Sequence, residues 1–200
     1  KDYDDAVSIE KTESGGYLLG VHIADVSFFV KENSPLDVEA LKRGTSVYLL
    51  NNVIPMLPEA LSNEICSLKP NKDRYTFSVD IELSKNYSVK SYKVYKSLIN
   101  SKRRFSYDEV QNIIDSKKGD FNKELMLMDK IAKHFYKRRM KEGGIDFESR
   151  EVKFDYDEEG KITGIKVKER LDSMKMIEEF MLLANKCVTE FVTELSKKFK

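Results

Sequence analysis

Three aspartates fall within four consecutive positions near the start of the sequence: Asp2, Asp4 and Asp5, in KDYDDAV. Carboxylates this close repel one another, and a fold tolerates them cheaply only where water or a hard cation takes up the charge. Carboxylate oxygens are the donors Mg2+ selects. The ion keeps several waters and uses one or two protein ligands beside substrate phosphates. One or two such ions can activate a water and stabilise a leaving oxygen in phosphodiester hydrolysis. The same spacing suits a solvated acidic loop ahead of a strand, and on spacing alone that reading carries more weight. A calcium loop is disfavoured, because no glycine turn and no distal bidentate glutamate follow at the required spacing.

Other reactive side chains are sparse. The two cysteines, Cys66 and Cys187, stand far apart in apolar contexts and read as buried thiols of a reducing compartment, not as zinc ligands. The two histidines, His22 and His134, are isolated, which argues against a Ser-His-Asp or Cys-His unit. Two basic triplets, Lys102-Arg103-Arg104 and Lys137-Arg138-Arg139, could meet phosphates, although such triplets are more often solvated faces.

The frame for these residues is a chain of 200 residues, 34% charged and 40% hydrophobic, with a net charge of +1. That suits one soluble domain or part of a larger one, and any nucleic-acid role must come from local patches. No run approaches the roughly 18 apolar residues a membrane span needs, and the first residues lack the apolar core expected of a signal peptide. The missing initiator Met points to an excerpt.

The first half reads as strands. Ala6 to Glu10 and Tyr17 to Val26 flank a Glu13-Ser14-Gly15-Gly16 turn. Ser34 caps a short helix with Pro35 at its first position, running to about Leu41 and ended by Gly44. Thr45 to Leu50 is strand-like, and Glu59 to Leu68 fits a short helix after Pro55 and Pro58. Tyr75, Phe77, Val79, Ile81 and Leu83 alternate with Thr76, Ser78, Asp80 and Glu82, which predicts a strand with the first set in the core and the second in water. Lys85 to Ser88 turns it into an antiparallel partner, Val89 to Leu98.

The second half is mainly helical. Ser106 caps Asp108 to Asp115, and Leu125, Met128, Ile131, Ala132 and Phe135 form an apolar stripe that ends before Gly143-Gly144. A hairpin pairs Glu151 to Tyr156 with Ile162 to Val167. A long helix from Asp172 to Lys198 carries a stripe of Met174, Ile177, Met181, Ala184, Val188, Phe191 and Leu195. On it, Glu179 can pair with Lys175 one turn back as an ordinary exposed pair. Glu178 instead lies beside Met174, Met181 and Leu182, and a carboxylate on the edge of an apolar stripe needs a reason. The fold class is α+β, a mixed or antiparallel sheet with packed helices.

With KDYDDAV, the segments GVHIADVSFFV (20–30), LDVEALKRGTSVYLL (36–50) and VIPMLPEALSNEICSLKPNKDR (53–74) follow in an order that resembles the catalytic RNB domain of the ribonuclease II and ribonuclease R family. SKRRFSYDEV (101–110), EGGIDF (142–147) and IEEFMLLAN (177–185) extend the resemblance over nearly the whole chain, and its details lie closer to ribonuclease R. It implies that residues 1–200 are the N-terminal portion of such a domain, with OB-fold RNA-binding domains flanking it in the parent.

The resemblance further implies a Mg2+-dependent exoribonuclease that digests single-stranded RNA from the 3′ end to nucleoside 5′-monophosphates. Asp2, Asp4 and Asp5 match the last three of the family's four aspartates, with Asp5 a metal ligand, Asp4 essential for cleavage and Asp2 in the same cluster. The first aspartate, six residues before Asp2, and an essential downstream arginine are not in this sequence, so the 200 residues alone are expected to be inactive. Tyr48 and Phe147 match aromatics that stack on bases, Tyr107 a tyrosine near the terminal nucleotide, and Glu178 a carboxylate on the 3′ ribose. Without the resemblance, Tyr48 and Phe147 read as core, Tyr107 as a first-turn helix residue and Glu178 as a rim salt bridge. The implied parent is cytoplasmic, binds no membrane and is a monomer. The competing readings are a catalytically silent RNA-binding or interaction module on the same scaffold, and an unrelated α+β domain with an acidic loop.

Overall fold

The computed structural model describes residues 3–49, 52–146, 152–157, 161–167 and 170–198. The chain divides into two compact units, one of residues 1–105 with 180–200 and one of residues 106–179. In chain order the first unit carries strands β1 (Asp5–Lys11) and β2 (Tyr17–Ala24), a one-turn helix α1 (Val26–Phe29), helix α2 (Pro35–Arg43) and the two-residue strands β3 (Val47–Tyr48) and β4 (Val53–Ile54). A π-helical turn (Ala60–Ile65) and the long strands β5 (Asp73–Leu83) and β6 (Val89–Asn100) follow. The second unit holds helices α3 (Tyr107–Ser116) and α4 (Asn122–Lys141) and a hairpin of β7 (Val152–Tyr156) with β8 (Ile162–Val167). Helix α5 (Asp172–Lys198) begins in the second unit and belongs to the first from Phe180 onward.

An antiparallel sheet ordered β1-β2-β5-β6 forms the body of the first unit. The α+β class is therefore as the sequence indicates. Leu19 and Val21 lie opposite Ile81 and Val79, and with Leu83 they are buried on one face. Burial, then the charges of Glu194 and Glu190, raise the pKa of the Tyr92 hydroxyl opposite Ile81, which brings the C-terminal part of α5 to this face. Phe180, Leu183, Ala184 and Cys187 are its buried residues.

The other face departs from the alternation of β5. Thr76 and Ser78 are fully buried, whereas Tyr75 and Phe77 are 44% and 41% exposed. The buried hydroxyls are satisfied laterally, Thr76 Oγ1 to Ser97 Oγ at 2.7 Å and Ser78 Oγ to His22 Nδ1 at 2.7 Å. Burial of hydroxyls is cheap when each finds a partner. Tyr75 instead stacks on Phe28, ring centroids 4.0 Å apart.

Local signals place most of the remaining elements. Ser34 caps α2 and Gly44 ends it in the left-handed conformation. Ser106 and Glu109 make a capping box at α3. Leu125, Met128, Ile131, Ala132 and Phe135 are buried as the α4 stripe requires. Three element bounds are corrected. Val26 opens α1 instead of ending β2; the strand at 45–50 shrinks to Val47–Tyr48; and the helix at 59–68 shortens to a π-helical turn. On α5 the buried stripe is Ser173, Met176, Phe180, Leu183 and Cys187, one residue out of phase with the expected one. This helix is apolar around much of its circumference, so periodicity alone does not select its inward face. Cys66 and Cys187 are buried free thiols, as expected. Among the described residues no helix is long and apolar enough to cross a membrane.

Candidate active site

In the first unit the acidic segment is tied down from both sides. The Tyr3 N–H donates to Ser67 Oγ at 3.1 Å and the Leu68 N–H to the Tyr3 carbonyl at 2.8 Å. The Ala24 N–H donates to the Asp4 carbonyl at 2.9 Å. Arg74 braces the segment beneath, its Nε donating to the Ser67 carbonyl at 2.9 Å and its Nη2 to the Glu64 carbonyl at 3.0 Å. Backbone bonds thus fix where two consecutive carboxylates, Asp4 and Asp5, emerge at the start of an edge strand, both exposed. Partial desolvation holds the Asp5 carboxyl above its ordinary value, against the pull of a backbone hydrogen bond. Burial, then the charge of Asp4, pushes up the neighbouring Cys66 thiol, which stays protonated. Asp2 lies outside the described residues.

The donors present are hard oxygens. Among the described residues no three His, Cys, Asp or Glu side chains gather into a metal-holding group. Asp4 and Asp5 are consecutive in sequence and exposed, carboxylates of the type Mg2+ takes one or two at a time, and not the donor set of a closed structural zinc site.

Basic and aromatic side chains adjoin this segment. An open cleft of about 530 Å3 is lined by Tyr3, Lys69, Pro70, Lys72 and Arg104. The Arg104 guanidinium lies over the Tyr3 ring, 5.0 Å from its centroid, so part of the first basic triplet borders the acidic site. Lys69 and Lys72 carry no signal in the sequence beyond their charge. Lys69 also pairs with Glu64 at 2.6 Å. Tyr48 sits on the small β3-β4 ribbon opposite Val53 and is 71% exposed, so it is not the core residue that a strand tyrosine suggests.

His22 and Asp25 take structural roles in the sheet. His22 bridges Ser8 and Ser78. Asp25, almost fully buried, accepts from the Ser27 hydroxyl at 2.5 Å and the Phe28 N–H at 3.1 Å, and pairs with Lys96 at 3.0 Å. Burial would raise its carboxyl, but Ser27 and Lys96 hold it below the ordinary value.

The second unit carries Tyr107 and Glu178. Tyr107 opens α3, and its carbonyl accepts from the fully buried Ser173 hydroxyl at 2.8 Å. Ser173 N–H also donates to Gln111 Oε1 at 3.2 Å, so the first turns of α3 and α5 are locked together. Glu178 follows on α5, half-buried, and accepts from Arg170 Nη2 at 2.7 Å. Its neighbour corrects the expected exposed pair. Glu179 is 4% exposed, and Arg139 Nε and Nη2 both donate to its Oε1, at 3.0 and 2.5 Å. Arg138 pairs with Glu142 at 2.8 Å, so the second basic triplet is largely engaged in intrachain pairs. Phe147 lies outside the described residues.

This sheet with its helices, opening on anchored carboxylates, defines the class: the chain belongs to the RNB domain family, whose pattern matches residues 1–199. Within it the chain is similar to the ribonuclease R exoribonucleases, which degrade RNA. It is 49% identical over 196 residues to Ribonuclease R of Thermotoga maritima, a match covering 95% of this chain and 28% of that protein. The chain thus spans about a quarter of the length of the curated relatives it matches. The solved structure of Mycoplasma genitalium RNase R in complex with ribose methylated single-stranded RNA superposes with a TM-score of 0.90 at 34% identity, covering 98% of this chain and 31% of that one. Yeast Ssd1, a pseudonuclease, superposes with a TM-score of 0.75 at 25% identity, covering 96% of this chain and 24% of that one.

Proposed function

We propose that the chain is part of a Mg2+-dependent hydrolytic exoribonuclease that degrades single-stranded RNA from its 3′ end and releases nucleoside 5′-monophosphates. The observation that carries this reading is the anchored Asp4-Asp5 pair at the head of β1. The scaffold alone cannot carry it, since yeast Ssd1 shares the fold and is a pseudonuclease. Asp4 and Asp5, with Asp2, would hold the ion. When bound, it supplies Lewis-acid activation of a water and stabilisation of the leaving oxygen.

The remaining roles belong to binding. Tyr48 presents an exposed ring for a base to stack on, with Phe147 its expected partner. Lys72 and Arg104 offset phosphate charge at the cleft beside Tyr3. Tyr107 adjoins the terminal nucleotide, and Glu178 accepts hydrogen bonds from its ribose hydroxyls, which distinguishes RNA from DNA. A cytoplasmic monomer is the matching expectation for the parent. Residues 1–200 by themselves are expected to cleave RNA poorly, because the first of the family's four aspartates and its essential arginine are not among them.

The test is the full-length protein on 5′-labelled single-stranded RNA, with and without Mg2+, beside Asp4→Asn. Mg2+-dependent stepwise shortening of the 5′-labelled strand that Asp4→Asn abolishes is the expected result. Equal activity in the variant overturns the carboxylate reading, and no activity in either protein supports the silent module.

A further inference from the structure

Glu178 does not stand by itself. Its Oε2 accepts from Arg170 Nη2 at 2.7 Å, and its Oε1 lies 3.8 Å from Arg139 Nη2. Arg139 is committed to Glu179, so Arg170 is the cation that fixes the Glu178 carboxylate. Arg170 is held in turn. Its Nη1 donates to Asp146 Oδ1, and the other oxygen of Asp146 accepts from the Tyr136 hydroxyl at 2.8 Å. The Tyr136 ring is flanked by the Arg139 guanidinium, 5.5 Å from its centroid, and by the Lys175 ammonium at 5.8 Å. The relay runs Tyr136, Asp146, Arg170, Glu178, and all four residues lie in the second unit.

We propose that Arg170, anchored by Asp146, is a positioning residue that sets the RNA-over-DNA preference by holding Glu178 where it meets the terminal ribose. This rests on the reading of Glu178 as the ribose contact. Two physical reasons support it. A free glutamate samples several rotamers and loses that freedom on binding, whereas a guanidinium fork selects one in advance. A bare carboxylate would also repel the RNA phosphates, and Arg170 offsets that charge while leaving Glu178, at 41% side-chain exposure, lone pairs for incoming hydroxyls. Asp146 orients the guanidinium and does not touch the substrate in this scheme.

The experiment measures kcat/KM of the full-length protein on two single-stranded oligoribonucleotides, identical except that one ends in a 3′ deoxyribose. The proteins are the native form, Glu178→Gln, Arg170→Met, Arg170→Lys and Asp146→Asn. Arg170→Met is expected to lower the ribose-to-deoxyribose ratio roughly ten-fold, about one charge-assisted hydrogen bond, with Arg170→Lys recovering part and Asp146→Asn falling between. A merely structural Arg170 would lower both rates together and leave the ratio intact, and that result, with Glu178→Gln losing the ratio, overturns the inference. If Glu178→Gln itself keeps the full ratio, the ribose reading of Glu178 fails, and the inference falls with it.

Discussion

Arg139 directs two N–H groups at a single oxygen of Glu179, from α4 to α5, and that carboxylate is 4% exposed. Attraction to Glu179, before any effect of burial, keeps the guanidinium more firmly protonated than an ordinary arginine. Breaking such a pair strands a buried charge. Glu179→Gln is therefore expected to destabilise the fold by about 3 kcal/mol, read from urea unfolding midpoints. A loss below about 1 kcal/mol would place the pair with ordinary surface bridges.

Tyr48 offers the cleanest separation of binding from stability. With its ring 71% exposed, Tyr48→Ala is expected to move stability by no more than about 0.5 kcal/mol. Affinity for a labelled single-stranded oligoribonucleotide should weaken by about 1–3 kcal/mol, the worth of one stacked base. The measurement is fluorescence anisotropy of the full-length protein without added Mg2+ and in an Asp4→Asn background, in which cleavage is expected to be lost. An unchanged Kd would remove Tyr48 from the RNA path.

His22 gives the fold an acid sensitivity with a defined sign. Burial between β1 and β5 lowers its pKa below the ordinary 6.5, opposed by the charge of Asp80. The unfolded chain therefore takes up a proton near pH 6.5 while the folded chain does not, so the stability His22 contributes is complete above that value. It is lost progressively as pH falls towards the depressed folded value. The gap in unfolding free energy between the native protein and His22→Gln should narrow from pH 8 to pH 5. A gap that widens on acidification would reverse the sign and the argument.

Much of the fold was legible because it is written in local chemistry. Ser34 with Pro35, and Ser106 with Glu109, mark helix starts through backbone N–H groups that only a nearby side chain can satisfy. The α4 stripe and the β5-β6 hairpin follow from periodicity and a short turn. The acidic segment was legible too, as a choice between a loop and a metal site. The motifs around it pointed to a family, by their order along the chain, and the comparisons bear that family out.

What the sequence could not decide was which side chains meet partners from elsewhere in the chain. Thr76 and Ser78 read as wet residues, but Ser97 and His22 satisfy their hydroxyls and allow burial. Glu178 and Glu179 read as one exposed pair-former and one carboxylate in need of a reason. The tertiary structure buried Glu179 against Arg139 and bound Glu178 to Arg170. These partners stand between 8 and 56 residues apart in the chain. Propensity and periodicity act over a few residues, whereas the cost of burying a polar group is settled by whatever packing places against it.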